Sequence, residues 1–229
     1  RMRRINQAFS QLQHKSTVTD AALDSGYESL SGFGESFKKA MGNAPARSNE
    51  QQVINVSRLL TPLGPMLAGA TEQGICLLEF TDRRMLETQL NRLQKRLNAR
   101  ALPGDSPWFP QLDGQLQAYF AGKRTDLDLP LVLAGTEFQE RVWNALRTIP
   151  CGTTRSYSEQ AEIIGQPTAV RAVARANGDN RIAILIPCHR VIGADGTLTG
   201  YGGGLWRKRH LLALESGRAG ERKSRGAGG

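Results

Sequence analysis

Two helix starts constrain this chain more than anything else in it. "TEFQ" at Thr136 and "SYSE" at Ser156 are both capping boxes, in which a hydroxyl and a Gln or Glu three residues on satisfy each other's backbone N–H groups. The helix begun at Ser156 must end at Gly165. "QPT" then leaves room for only a three-residue turn before another helix over Thr168 to Asn177. The second helix of this helix-turn-helix reads "TAVRAVARAN" and is almost bare, with Arg171 and Arg175 one turn apart on one face. Ala169, Ala172 and Ala176 would let its backbone approach a partner closely, although alanines also serve simply as good helix formers.

The flanking sequence fills out a multi-domain α/β chain of 229 residues, long enough for two or three small domains. Met2, Ile5, Phe9 and Leu12 recur at helical spacing. A short helix around Thr19–Asp24, a turn at Gly26, and a helix carrying Leu30, Phe33, Phe37 and Met41, stopped by Gly42 and Pro45, form a second helix-turn-helix signature. Residues 47–56 are polar and read as a linker. "RLLTPLGPMLAGATEQGICLLEFTD" reads as two apolar strands around a "TEQG" turn. Helices over Met85–Leu97 and Leu112–Phe120 and a strand-like "LDLPLVL" complete a small α/β unit. The expected divisions are 1–48, 49–130, 131–217, and a Gly-, Arg- and Ser-rich tail over 218–229 expected to be disordered. A chain opening on Arg1 rather than Met is expected to be an excerpt of a longer one.

The formal charge of +9 is uneven: residues 49–130 are neutral, and the basic excess lies on both sides of them. Basic flanks suit phosphate, because Lys and Arg release counterions from nucleic acid, although a solubility charge looks the same. No apolar run approaches the roughly 20 residues needed to span a bilayer, so no membrane role is expected. Three unpaired-looking cysteines, Cys76, Cys151 and Cys188, without CxxC or Cys/His spacing, suggest reduced thiols, a cytoplasmic setting and no metal site.

Chemistry concentrates in "ILIPCHRVIG", where the apolar run Ile184-Leu185-Ile186, read as a core strand, drives into Pro187, Cys188, His189 and Arg190. A free thiol, with a pKa of about 8.5, is mostly protonated at neutral pH, and a neighbouring imidazole or basic group is expected to make it mostly thiolate. On a strand His189 points away from Cys188, so it acts as base only through a water or a turn begun by Pro187. Glu215 is the carboxylate best placed to orient it. Cys76, in "GICLLEF", reads as core, and Cys151 as structural.

"IPCHRVIG", followed by "GTLTGYGGGLWRKRHLLALE", strongly resembles the O6-alkylguanine-DNA alkyltransferases, over roughly Leu59 to Glu215. The first part of the chain is similar to the second half of an AraC-type helix-turn-helix, so the combination looks like part of an Ada-type protein. The resemblance implies a ribonuclease-H-like domain over 49–130 and a winged-helix-like alkyltransferase domain over 131–217. It also implies irreversible, single-turnover transfer of a methyl or alkyl group from O6 of guanine, and O4 of thymine, to Cys188. His189 would deprotonate Cys188 through a water, Glu215 would orient His189, and Asn180 would brace the turn. Tyr201 would donate to the guanine, with Gly202 and Gly203 in a mobile loop lining the base pocket. Arg171 would fill the gap left by a flipped base and Tyr157 would press on its phosphate. The helix with Ala169, Ala172 and Arg175 would lie in the minor groove of double-stranded DNA. A monomeric bacterial protein, cytoplasmic and nucleoid-associated, without cofactor or metal, is implied.

Gly32 and Glu35 stand where the helix-turn-helix family often has an aromatic residue and an arginine, and no cysteine-rich zinc domain is present. Two other readings use the same cysteine: an alkylation-sensing transcription regulator, and a cysteine hydrolase built on Cys188, His189 and Glu215.

Overall fold

The computed structural model describes residues 2–13, 16–41, 44–46 and 52–226. The first three helices, α1 (Met2–Gln13), α2 (Val18–Asp24) and α3 (Leu30–Met41), follow the sequence periodicity. Ile5, Phe9 and Leu12 pack on Ala21, Ala22, Phe33 and Phe37. The Thr17 hydroxyl caps α2 by accepting from the Asp20 amide, and Gly26, at φ +76°, turns the chain toward α3. The helix-stopping Gly42 and the first part of the expected linker, 47–51, lie outside the described residues. This small core also takes in Leu102 and Val53, so the three helices pack on one edge of the sheet that follows.

That sheet has four strands where sequence suggested two before the first long helix. They are β1 (Gln52–Thr61), β2 (Gly64–Thr71), β3 (Gly74–Phe80) and β4 (Ala99–Pro103), in the order β3-β2-β1-β4. All neighbours are antiparallel except β1 and β4. The expected linker therefore becomes strand from Gln52. Its pattern hides because β1 has only one fully buried side chain, Ile54, among polar neighbours such as Asn55 and Ser57. Helix α4 (Leu86–Arg96) joins Ile54, Leu77 and Ala99 through Leu93. Helix α5 (Trp108–Phe120) joins Met66, Ala68 and Phe80 through Leu112 and Leu116. "LDLPLVL" is not a strand, since only Leu131 bridges, to Ile75. Pro130 has no N–H to donate, yet its carbonyl accepts from the Ile75 amide.

The C-terminal half contains α6 (Glu137–Arg147), β5 (Arg155–Ser156), α7 (Tyr157–Ile163) and α8 (Val170–Gly178). A 3₁₀ turn at Cys188–Arg190, β6 (Val191–Ile192) and α9 (Leu205–Gly226) follow. Both capping boxes form, and Gly165, at φ +71°, makes the turn between α7 and α8. Strands β5 and β6 pair in parallel. Helix α9 continues through residues 218–226, so the expected disordered tail is helical there; Ala219, Glu221, Arg222 and Lys223 are good helix formers.

The two halves are not separate at residue 130. Residue Leu78 of β3 exchanges backbone hydrogen bonds with Arg181 and Ala183, at 2.9 and 2.7 Å, so the outer edge of the sheet is covered by the C-terminal half. One core holds Leu112 and Leu116 of α5 together with Trp143, Leu146, Ile186 and Leu211. The Arg207 guanidinium in α9 adds a clamp, donating to the Leu63 carbonyl at 2.8 Å and to both Asp82 oxygens at 2.9 Å.

Candidate active site

The segment after α8 is a buried turn rather than the expected strand. The Leu185 amide donates to the Ala183 carbonyl at 2.9 Å across Ile184, whose φ is +72°. This is a γ-turn in the left-handed region, unusual for a β-branched residue and costing about 1–3 kcal/mol. An apolar run alone cannot distinguish such a turn from a strand. Asn180 holds it: Nδ2 donates to the Ile186 carbonyl at 2.9 Å and to Cys188 Sγ at 3.2 Å, while Oδ1 accepts from the Ile182 amide at 2.9 Å. The sequence-derived bracing role of Asn180 thus has a matching geometry, and Asn180 also touches the sulfur.

Pro187 then starts the 3₁₀ turn that separates the side chains of Cys188 and His189. His189 Nε2 lies 3.0 Å from Glu215 Oε1, and both residues are fully buried. With Nε2 donating to the carboxylate, Nδ1 is a bare acceptor; it is buried and has no hydrogen-bond partner. Arg190 meets the same carboxylate in a fork, Nε to Oε2 and Nη2 to Oε1 at 2.9 Å each. Tyr119, from α5, donates to Oε1 at 2.6 Å, and the Gly152 amide reaches Oε2 at 3.4 Å. Burial raises the Glu215 carboxyl, but the hydrogen bonds from His189 and Arg190 outweigh it and hold the group well below the usual carboxylate range. For His189 burial prevails over Glu215, lowering the imidazole and keeping it neutral.

Cys188 departs from the expected resting thiolate. It is 9% exposed, and burial pushes the thiol up more than the Asn180 hydrogen bond and the nearby Arg83 and Lys208 charges bring it down. The resting group is a thiol, which must lose its proton as it reacts. Lys208 is also buried; it donates to the carbonyls of Val191 and Thr199 at 2.6 Å, and desolvation lowers it to about 8.

A cavity of about 410 Å³ opens beside this turn, lined by Tyr157, Val170, Arg171, Ala174, Gly200 and Tyr201 among others. Cys188 does not line it, but its charge acts on both Tyr157 and Tyr201, which do. The Tyr201 hydroxyl is out of solvent and has no hydrogen-bond partner, whereas Tyr157 donates to the Thr199 carbonyl at 3.4 Å. Gly202 and Gly203 are not among the lining residues. They back onto Arg83 and Phe80, where a Cβ would come within 2.6 Å of either side chain, so glycine is needed for this close approach.

Helix α8 exposes Arg171, Ala172, Ala174 and Arg175 and half-exposes Ala169. Ala176 faces inward instead, its carbonyl accepting from Trp143 Nε1 at 2.8 Å. The turn after α8 is held from the sheet: Arg83 donates to the carbonyls of Gly178 and Asn180, at 2.5 and 2.9 Å, and pairs with the buried Glu79. Sequence reasoning missed Tyr119, Arg190, Lys208, Glu79 and Arg83 as parts of this site. Arg190 was within reach, adjacent to His189; the rest come from positions that only the fold brings together.

Two family models match this arrangement, the ribonuclease-like domain of 6-O-methylguanine DNA methyltransferase over residues 57–133 and its DNA binding domain over residues 137–217. The chain belongs to the methylated-DNA–protein-cysteine methyltransferase family. Within that family it is 49% identical over 174 residues to the Mycobacterium tuberculosis H37Rv methyltransferase, covering 73% of this chain and 95% of the relative. It is also 36% identical over 219 residues to the bifunctional transcriptional activator/DNA repair enzyme Ada of Escherichia coli K12, covering 94% of this chain and 60% of that one. A crystal structure of the M. tuberculosis methyltransferase in complex with DNA, 46% identical, superposes with a TM-score of 0.61 over 72% of this chain and 94% of that one. Among the described residues of this family member no helix is long and apolar enough to cross a membrane.

Proposed function

We propose that this protein repairs alkylated DNA by moving a methyl or alkyl group from O6 of guanine, and from O4 of thymine, to its own Cys188. The observation that carries the reading is the buried Cys188 thiol, held by Asn180 beside a cavity into which an unpartnered tyrosine hydroxyl is set. An alkyl group on O6 sits inside the stacked duplex, so the nucleotide must be extruded, at a few kcal/mol. The cavity takes the base, and the Tyr201 hydroxyl donates to it. The Cys188 proton passes through a water to His189 Nδ1 as sulfur attacks the alkyl carbon. The carbon–O6 bond breaks, its electron pair stays on guanine, and guanine is stabilised by the Tyr201 donor. Glu215 fixes the imidazole tautomer throughout. Incubation with a duplex carrying one O6-methylguanine tests this: intact mass should rise by about 14 Da as the thiol hydrogen is exchanged for methyl, once per chain. Product several-fold in excess of protein, with no modified peptide, would instead support a hydrolase.

The exposed alanines of α8 suit a narrow minor groove, and Arg171 borders the cavity on that helix. Arg171→Ala should slow repair of duplex DNA at least about tenfold, the loss of a group that offsets the cost of unstacking. Reaction with free O6-benzylguanine, which needs no flipping, should be unchanged. Equal slowing on both substrates would mean that Arg171 supports the pocket itself.

Residues 1–48 fit the second half of an AraC-type helix-turn-helix, a reading supported by the 94% of this chain that aligns with Ada. Gly32 and Glu35 are exposed on α3, where they supply no cation for phosphate. Exposed Lys38 and Lys39 lie in its last turn. Replacing both with Gln should leave the salt dependence of non-specific duplex binding unaltered, because each lost phosphate contact lowers the slope by about 0.9. A shallower slope would show that α3 binds DNA.

A further inference from the structure

Glu215 accepts hydrogen bonds from both halves of the molecule, and one of the donors has no part in the proton relay described above. Tyr119 is 1% exposed in α5 of the ribonuclease-like half, and its hydroxyl lies 2.6 Å from Glu215 Oε1. The same oxygen already faces His189 Nε2 at 3.0 Å and Arg190 Nη2 at 2.9 Å. We propose that Tyr119 is a positioning residue for alkyl transfer, through which the ribonuclease-like half sets the basicity of the Glu215–His189 pair. The proposal rests on Cys188 being the alkyl acceptor.

A carboxylate oxygen beside an imidazole N–H can either orient the imidazole or draw its proton toward itself. Each further donor spreads the charge on that oxygen and favours the first outcome. Arg190 contributes a full positive charge, but its fork is divided between Oε1 and Oε2. Tyr119 donates to Oε1 alone among the two oxygens. Burial and the Glu215 charge both push the tyrosine up, out of the physiological range, so it serves here only as a donor. The titratable and charged groups around the relay are Glu215 and Lys208 from α9, Arg190 from its own turn, Tyr201 from the loop before α9, Tyr119 from α5, and Cys151 after α6. Of these only Tyr119 comes from the ribonuclease-like half, and it donates directly to the oxygen facing the imidazole.

Removing the hydroxyl leaves Oε1 more basic and strengthens its hold on a protonated imidazole. His189 should then keep a second proton to higher pH, and that proton sits on Nδ1, the atom that must receive the one from Cys188. Loss of the hydroxyl should therefore be felt most in acid and vanish in base.

Tyr119→Phe preserves the ring and its packing and removes only the donor. Alkylation of Cys188 by free O6-benzylguanine should be followed from pH 5 to 9 in the full chain. The acid limb should move to higher pH, with a rate loss of several-fold near pH 6 and none at pH 9. In Cys188→Ser and Cys188→Ser/Tyr119→Phe proteins, the His189 ring followed by NMR should titrate at a higher pH when the hydroxyl is absent. This readout needs no alkyl transfer, so it stands if the acceptor assignment fails. Uniform slowing at every pH, or an unmoved His189 titration, overturns the proposal and leaves Tyr119 a packing residue. Should the variant be too unstable for kinetics, the His189 titration in the partly folded pH range decides alone.

Discussion

Cys188→Ser loses alkyl transfer by at least about 1,000-fold while duplex binding is retained, because a serine hydroxyl is not ionised near neutral pH and is a far weaker nucleophile than sulfur. The site sharpens this expectation. Even the thiol is held protonated by burial, so activity depends on passing one proton to His189 during attack. An alcohol, several units less acidic, cannot follow that route. The Asn180 amide that donates to sulfur at 3.2 Å can donate equally to oxygen, so the turn should survive the change. Cys76→Ala should leave transfer intact, since Cys76 is buried in β3 and its thiol is pushed up to about 12. Intact-mass measurement with alkylated duplex and a gel-shift titration check both halves of the prediction. Transfer by the serine variant would place the acceptor elsewhere.

Glu215→Gln should cost both stability and activity. The amide can accept from His189, but its NH₂ then faces the Arg190 guanidinium, leaving a buried cation without its counter-charge. Breaking a buried pair in this way costs about 3–5 kcal/mol. For a chain of 229 residues that lowers the melting temperature by roughly 10 °C. The same cluster sets the pH dependence of the wild type. Glu215 is depressed in the fold, so its contribution is present above the unfolded carboxyl value and is lost as pH falls through the folded one. His189 is lowered, so the unfolded chain binds more protons below about 6.5 and stability falls there too. Both effects have one sign. Stability should decline steadily from near neutral pH into acid, and the Gln variant should lack the steepest, most acidic part of that decline. Urea titrations at several pH values test it; parallel curves for the two proteins would remove Glu215 as the cause.

Much of the site was legible in one segment of sequence because its polar atoms are close along the chain. Cys188, His189 and Asn180 lie within ten residues, and the capping boxes fixed α6 and α7 from local hydrogen bonding alone. Strand β1 and the γ-turn at Ile184 were not legible, for opposite reasons. The strand is too polar to show an apolar alternation, and the turn is too apolar to look like one. Tyr119 and Glu215 are 96 residues apart, and Arg83 and Asn180 are 97, so no window of sequence brings them together. Tyr119 sits on an apolar helix face, where a tyrosine reads as core until the partner of its hydroxyl is known.

The covered edge of β3 sets a limit on how this chain can be taken apart. The family models meet between residues 133 and 137, which invites a cut there to obtain a ribonuclease-like half for separate study. Such a fragment would lose Arg181 and Ala183, the residues whose backbone satisfies Leu78 in β3. It would present a bare strand edge in which every residue of β3 had been buried, beside α5 side chains stripped of their partners. Unpaired edges of that kind recruit other strands. The excised half should therefore self-associate or precipitate.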